Sequence, residues 1–124
     1  MGLTVMIADD DALARALIEA IVERDDELEL VACAEDAARA IELADEHQPD
    51  IALLDWVMPG GGGAVAAREI LLRSPDTKIV ALTSPGRADE AATLKAGARR
   101  TLPKGCAPDE LLRTIRAAAE TRTD

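Results

Sequence analysis

The sequence predicts an α/β fold, a parallel sheet covered by helices on both faces, on three observations. Continuous apolar runs recur at Val5-Met6-Ile7-Ala8, Ile51-Ala52-Leu53-Leu54 and Ile79-Val80-Ala81-Leu82. Runs this short, without polar alternation, suit strands buried on both faces. Between them lie stretches with apolar residues three and four apart, the spacing of an amphipathic helix. The connections are short, and strand–helix alternation with short loops makes the strands parallel.

Each element has its own justification. The first strand covers 5–8, and Asp11 is placed to cap a helix over 12–24. Leu13, Leu17 and Ile21, with Ile18 and Val22 beside them, are expected to form its buried stripe. Residues 28–33 partly alternate and read as a half-exposed edge strand. The alanine-rich stretch 36–47 reads as a helix that stops before Pro49, with His47 favourably placed at its end. Strand 51–54 leads into Asp55, Trp56-Val57-Met58-Pro59 and four glycines, Gly60 to Gly63, expected to form a loose, mobile loop. A helix over 64–73 follows, then a turn at Ser74-Pro75-Asp76. Strand 79–82 is broken by Ser84-Pro85-Gly86, and a short helix over 88–96 ends at Gly97, a natural C-terminal cap. A poorer strand covers 99–102. Pro108 opens the last helix, with Asp109 and Glu110 in the first turn, where the dipole favours anions.

Composition narrows the function. The 124 residues suit one domain, taken as 1–124. Trp56 is the only aromatic residue, so the core must be aliphatic. A net charge of −10 speaks against direct nucleic-acid or anionic-membrane partners. No apolar stretch approaches the ~20 residues of a membrane-spanning helix. The first eight residues lack the basic start and length of a signal peptide, so a cytoplasmic protein is expected. Cys33 and Cys106 fit neither a metal spacing nor a disulfide framework and read as small apolar fillers or idle thiols. Cys106 follows Lys104 closely, which leaves its reactivity open.

Asp9, Asp10 and Asp55 stand at the ends of two apolar strands, with Thr83 at the end of a third. Open parallel sheets bind ligands at that edge. Two like charges about 4 Å apart repel by about 4 kcal/mol at an effective dielectric of about 20. Such a cluster wants a hard cation, and oxygen ligands without His or Cys favour Mg²⁺ over Zn²⁺. Asp55 could then attack a phosphoryl group. Lys104 offers positive charge, and the Thr83 hydroxyl can donate to a phosphate oxygen.

Asp9-Asp10, Asp55 with Met58-Pro59, Thr83-Ser84 and Lys104 together resemble the receiver domain of bacterial two-component response regulators, the CheY-like family. The likeness covers almost the whole chain. It implies a flavodoxin-like doubly wound sheet in order 2-1-3-4-5 with five helices. It implies that Asp55 accepts a phosphoryl group from a histidine kinase. Asp9 and Asp10, Asp10 more directly, would hold Mg²⁺ together with Asp55 and the carbonyl of Val57. Lys104 would pair with the phosphate. Thr83, with Ser84, would respond to it and signal to the face of the fourth helix, fifth strand and fifth helix. The only chemistry implied is the domain's own phosphorylation and dephosphorylation. Residues 104–112 are similar to receivers that precede a helix-turn-helix output domain, a link to transcription regulation, and no such domain is in this chain. A homodimer is one form the output could take.

The chain departs from the family pattern at several positions. Thr101 stands where most receivers carry a switching Tyr or Phe, so no ring can rotate with Thr83. Gly105 stands where many have proline, and Gly62 replaces a common polar residue. Val57 and Pro85 occupy the two positions that help orient the hydrolytic water, and neither can hydrogen-bond to it. A long-lived phosphorylated form is therefore expected. Three rival readings compete with this one. A Mg²⁺-dependent phosphohydrolase would want an acid where Val57 stands. A flavin or nucleotide module would not place three aspartates after its first strand. A receiver-like domain could work unphosphorylated through protein contacts.

Overall fold

The computed structural model describes residues 2–84 and 90–120. Five strands and five helices alternate: β1 (Leu3–Ala8), α1 (Ala12–Glu23), β2 (Leu28–Ala34), α2 (Ala37–His47), β3 (Ile51–Asp55), α3 (Gly62–Arg73), β4 (Lys78–Thr83), α4 (Glu90–Lys95), β5 (Arg100–Pro103) and α5 (Pro108–Ala119). The strands form one parallel sheet in order β2-β1-β3-β4-β5. That is the order and the doubly wound architecture expected.

The pleat sorts the core into two layers, because successive strand residues point to opposite faces. Val5, Ile7, Ile51, Leu53, Val80 and Leu82 pack under α1 and α5 with Val22, Leu111 and Ile115. Met6, Ala8, Ala52, Leu54, Ile79 and Ala81 face the other way, against Ala40, Ala44, Ala66, Ala67 and Ile70 of α2 and α3. The first layer is built of bulky aliphatics and the second largely of alanines.

Several caps are as expected. The Asp11 carboxylate accepts from the Leu13 and Ala14 N–H groups, and Gly97 takes φ +121°. At α2 the left-handed cap is Gln48 (φ 47°), whose side-chain amide also donates to the Arg73 carbonyl. The structure corrects two expectations. Leu13 and Leu17 are not in a buried stripe but 71% and 59% exposed. Helix α1 faces the sheet through Ile18, Ile21 and Val22, a triplet at i, i+3 and i+4, which turns the first two leucines outward. The glycine stretch is also not all loop, since α3 begins at Gly62. Gly63 is buried there, and the position takes only glycine because a Cβ would lie 2.4 Å from the Trp56 ring. Gly60, Gly61 and Gly62 hold positive φ, which makes the tight exit from β3 possible. The start expected for the fourth helix falls outside the described residues.

Candidate functional site

The C-terminal edge of β1, β3, β4 and β5 gathers the expected residues. Strand β3 runs through Asp55 and β4 through Thr83, so both residues are held by the ladder rather than by loops. The Trp56 N–H donates to the Leu82 carbonyl at 2.9 Å, and the Lys104 N–H to the Thr83 carbonyl at 2.8 Å. The second bond carries Lys104 to the same rim as the acids.

Carboxylate oxygens of Asp9, Asp10 and Asp55 lie within 4.8 Å of one another. Asp9 and Asp55 are buried and Asp10 is exposed. Lys104 Nζ lies 3.0 Å from Asp9 Oδ2 and 3.2 Å from Asp55 Oδ2. Asp55 Oδ1 accepts from the Val57 N–H at 3.2 Å. Asp9 Oδ1 accepts from the Asp11 N–H at 2.9 Å and from Lys104 Nζ at 3.3 Å. Asp9 Oδ2, though close to the ammonium, is buried with no hydrogen bond of its own.

Burial, reinforced by the neighbouring Asp9 charge, pushes the Asp55 carboxyl up to about 6, against the opposing pull of the Val57 N–H and Lys104. For Lys104, burial favours the neutral amine, but hydrogen bonds and charges from Asp9 and Asp55 outweigh it and raise its pKa. One ammonium therefore faces two buried carboxylates, with a third at the rim. The donor set is oxygen only, and it includes a buried oxygen, Asp9 Oδ2, that takes no hydrogen bond and is met only by the Lys104 ammonium. Such a site fits a hard divalent cation such as Mg²⁺.

The remaining expected residues are less engaged. The Thr83 hydroxyl donates to the Leu102 carbonyl on β5 at 3.3 Å, so it faces away from the acids in this conformation. Ser84 is half-buried at the strand end. The Val57 side chain is exposed. Pro85 lies outside the described residues. The thiols are poorly disposed to ionise: burial and Glu19 push Cys33 up to about 12, and burial and Glu110 raise Cys106. Arg15 was missed: its Nη1 donates to the Asp9 carbonyl at 2.7 Å. Its signal was available, because helix side chains lean back toward the N-terminus. An arginine one turn inside α1 therefore overhangs the β1–α1 turn.

Comparison with known proteins agrees with this geometry. Residues 5–116 match the model of the response regulator receiver domain. The chain is 36% identical to a protein-glutamate methylesterase/protein-glutamine glutaminase of Cereibacter sphaeroides over 128 residues, covering 94% of this chain and 35% of that protein. It is 34% identical to the transcriptional regulatory protein DegU of Brevibacillus brevis over 119 residues, covering 94% of this chain and 50% of that one. It thus spans a third to a half of these relatives' length. The response regulator domain of Thermotoga maritima CheB superposes with a TM-score of 0.89 at 26% identity, covering 99% of this chain and 100% of that one. The receiver domain of the putative response regulator NarL from Mycobacterium tuberculosis also gives 0.89, at 28% identity and 98% of each chain. No helix among the described residues is long and apolar enough to cross a membrane. With the fold, the rim of acids and the facing lysine all in agreement, the chain belongs to the response regulator receiver domain family of two-component signalling systems.

Proposed function

We propose that Asp55 is the phosphoacceptor in a Mg²⁺-dependent transfer from a histidine kinase. Asp9, Asp10, Asp55 and the Val57 carbonyl would hold the ion. The observation that carries it is the convergence of three carboxylates and the Lys104 ammonium on one strand edge. When bound, the ion supplies positive charge for the phosphoryl oxygens. An Asp55 carboxylate oxygen attacks phosphorus, and the bond from phosphorus to the donor imidazole nitrogen breaks. The ring leaves with the electron pair, and the product is an acyl phosphate on Asp55. Lys104, already poised on Asp55, then pairs with a phosphoryl oxygen.

For output, Thr83 exchanges its bond to the Leu102 carbonyl for one to the phosphoryl group, with Ser84 beside it. Giving up that bond loosens a tie between β4 and β5 and conveys the event to the α4–β5–α5 face. No ring at position 101 can follow the movement. Thr101 instead makes a long hydroxyl contact, 3.5 Å, to the Glu90 carboxylate at the start of α4. Output through α4 and a homodimer, or through an output domain in a longer protein, fits this arrangement, as does a cytoplasmic setting. The chain's own chemistry ends with gain and loss of its phosphoryl group.

The test is incubation with Mg²⁺ and a small phosphoryl donor, followed by intact mass. One phosphate should add to the wild type and none to Asp55→Asn. An unmodified wild type would support the reading in which the domain works through protein contacts alone. Sustained turnover of the donor would instead indicate a phosphohydrolase, a reading that Val57 at the place of a second acid does not favour.

A further inference from the structure

We propose that Arg15 is a positioning residue that aims the acidic pair at its cation, by holding the peptide unit between Asp9 and Asp10. The inference rests on reading the cluster as a Mg²⁺ site and names the residue that sets its geometry. Asp9 is wholly buried, and its main chain is clamped from two sides. Its N–H donates to the Ala34 carbonyl on β2 at 3.0 Å, and its carbonyl accepts from Arg15 Nη1 at 2.7 Å. The Asp9 carbonyl and the Asp10 N–H belong to one rigid planar unit. Holding the oxygen therefore fixes the direction in which Asp10 leaves the strand. Asp10 is exposed, and among the described residues no hydrogen bond or ion pair holds its carboxylate. Its aim has to come from its backbone, and that backbone is what Arg15 secures.

Arg15 is itself well held for this task. It lies in the first turns of α1, whose N-terminus is tied down by the Asp11 cap. Its side chain is 22% exposed, with Glu19 3.9 Å away along the helix. Its short, charge-assisted bond goes to a main-chain oxygen rather than to that carboxylate. The device is a loop of mutual support: Asp11 starts the helix, the helix presents Arg15, and Arg15 returns to fix the turn that Asp11 closes.

The test is titration with Mg²⁺ alone, without any phosphoryl donor, read by the fluorescence of Trp56, which directly follows Asp55. Melting temperatures with and without Mg²⁺ form a second readout. Partners that orient metal ligands are worth about ten- to a hundredfold in affinity. Arg15→Met should weaken Mg²⁺ binding by about that factor, and Arg15→Lys, which can still donate to the carbonyl, should restore most of it. The exposed Arg113→Met should change nothing. Should Arg15→Met not fold, Arg15→Gln, with a shorter neutral donor, carries the same expectation of weaker binding. A lower metal-free melting temperature with unchanged Mg²⁺ affinity would mean that Arg15 only stabilises the fold, and would overturn the proposal. Absence of saturable Mg²⁺ binding in the wild type would instead sink the reading of the cluster itself.

Discussion

Asp50 and Asp55 bracket the same five-residue strand, and the fold treats them in opposite ways. At the N-terminal edge of the sheet, Asp50 Oδ2 accepts from both the N–H and the hydroxyl of Thr4, at 2.9 and 3.1 Å. The Asp50 N–H returns a bond to the Thr4 hydroxyl. Nearby, the Ser74 and Thr77 hydroxyls meet at 2.6 Å, and Thr77 donates to the Pro49 carbonyl at 2.6 Å. These groups meet neutral partners of good geometry. At the C-terminal edge, Asp55 is buried beside a second buried carboxylate, that of Asp9, with one lysine ammonium between them. The same residue type is exposed with neutral partners at one end and buried against a second carboxylate, with one ammonium shared between them, at the other. Burial and the crowding of like charges, rather than a missing hydrogen bond, separate the two aspartates here.

The contrast is broken most directly by removing the shared cation. Lys104→Met should cut the rate of phosphorylation by a small-molecule donor by about a hundredfold or more, in line with loss of a preorganised charge. It should also destabilise the metal-free protein by about 3 kcal/mol, because two buried carboxylates lose their partner. Denaturant melts and single-turnover rates check the two halves.

The crowding at the C-terminal edge should show in the pH dependence of stability. The Asp55 carboxyl stands at about 6 in the folded protein, above its ordinary 3.8. Between those values the folded state binds the extra proton, so metal-free stability should fall as pH rises from about 4 to about 6. Asp55→Asn should abolish that slope, whereas Asp50→Asn should leave it in place. The phosphorylation rate should rise through the same window as the nucleophile ionises. Its midpoint should move to lower pH as Mg²⁺ is raised, which a pH series at two Mg²⁺ concentrations would show.

A smaller effect is expected at Val57, which lies beside the nucleophile and offers water no hydrogen bond. The phosphorylated form should outlast removal of the donor by minutes or longer, and Val57→Asn should shorten that lifetime severalfold. A wild-type half-life of seconds would contradict the role assigned to this side chain. The smallest effect on chemistry should come from Asp50→Ala. It removes the acceptor of two exposed hydrogen bonds and should cost about 1–2 kcal/mol of stability, with the phosphorylation rate unchanged.

The sequence made the sheet and its rim legible because 51–54 and 79–82 are continuous apolar runs that stop at polar residues. It also brought Asp9, Asp10, Asp55 and Lys104 to one edge. What stayed hidden depends on side-chain direction. Leu13 and Leu17 satisfy a four-residue repeat, but the Ile18–Ile21–Val22 triplet decided which side of α1 faces the sheet. The glycine run hid the start of α3, because Gly63 is selected by the Trp56 ring above it rather than by turn chemistry. Asp9 and Asp10 are neighbours of identical chemistry just past the end of β1, yet one is buried and the other exposed. The bond from the Thr83 hydroxyl to the Leu102 carbonyl is a rotamer choice that no spacing encodes.

The loop after Asp55 is moored sideways. The Ala37 N–H, the first of α2, donates to the Pro59 carbonyl at 3.0 Å, and a Cβ at Gly60 would lie 3.2 Å from that of Ala37. The next helix begins without any side-chain cap. The segment that carries Val57 past Asp55 therefore takes its footing from the second helix, and a bulkier residue at Ala37 would be felt at the acidic rim as a displaced loop.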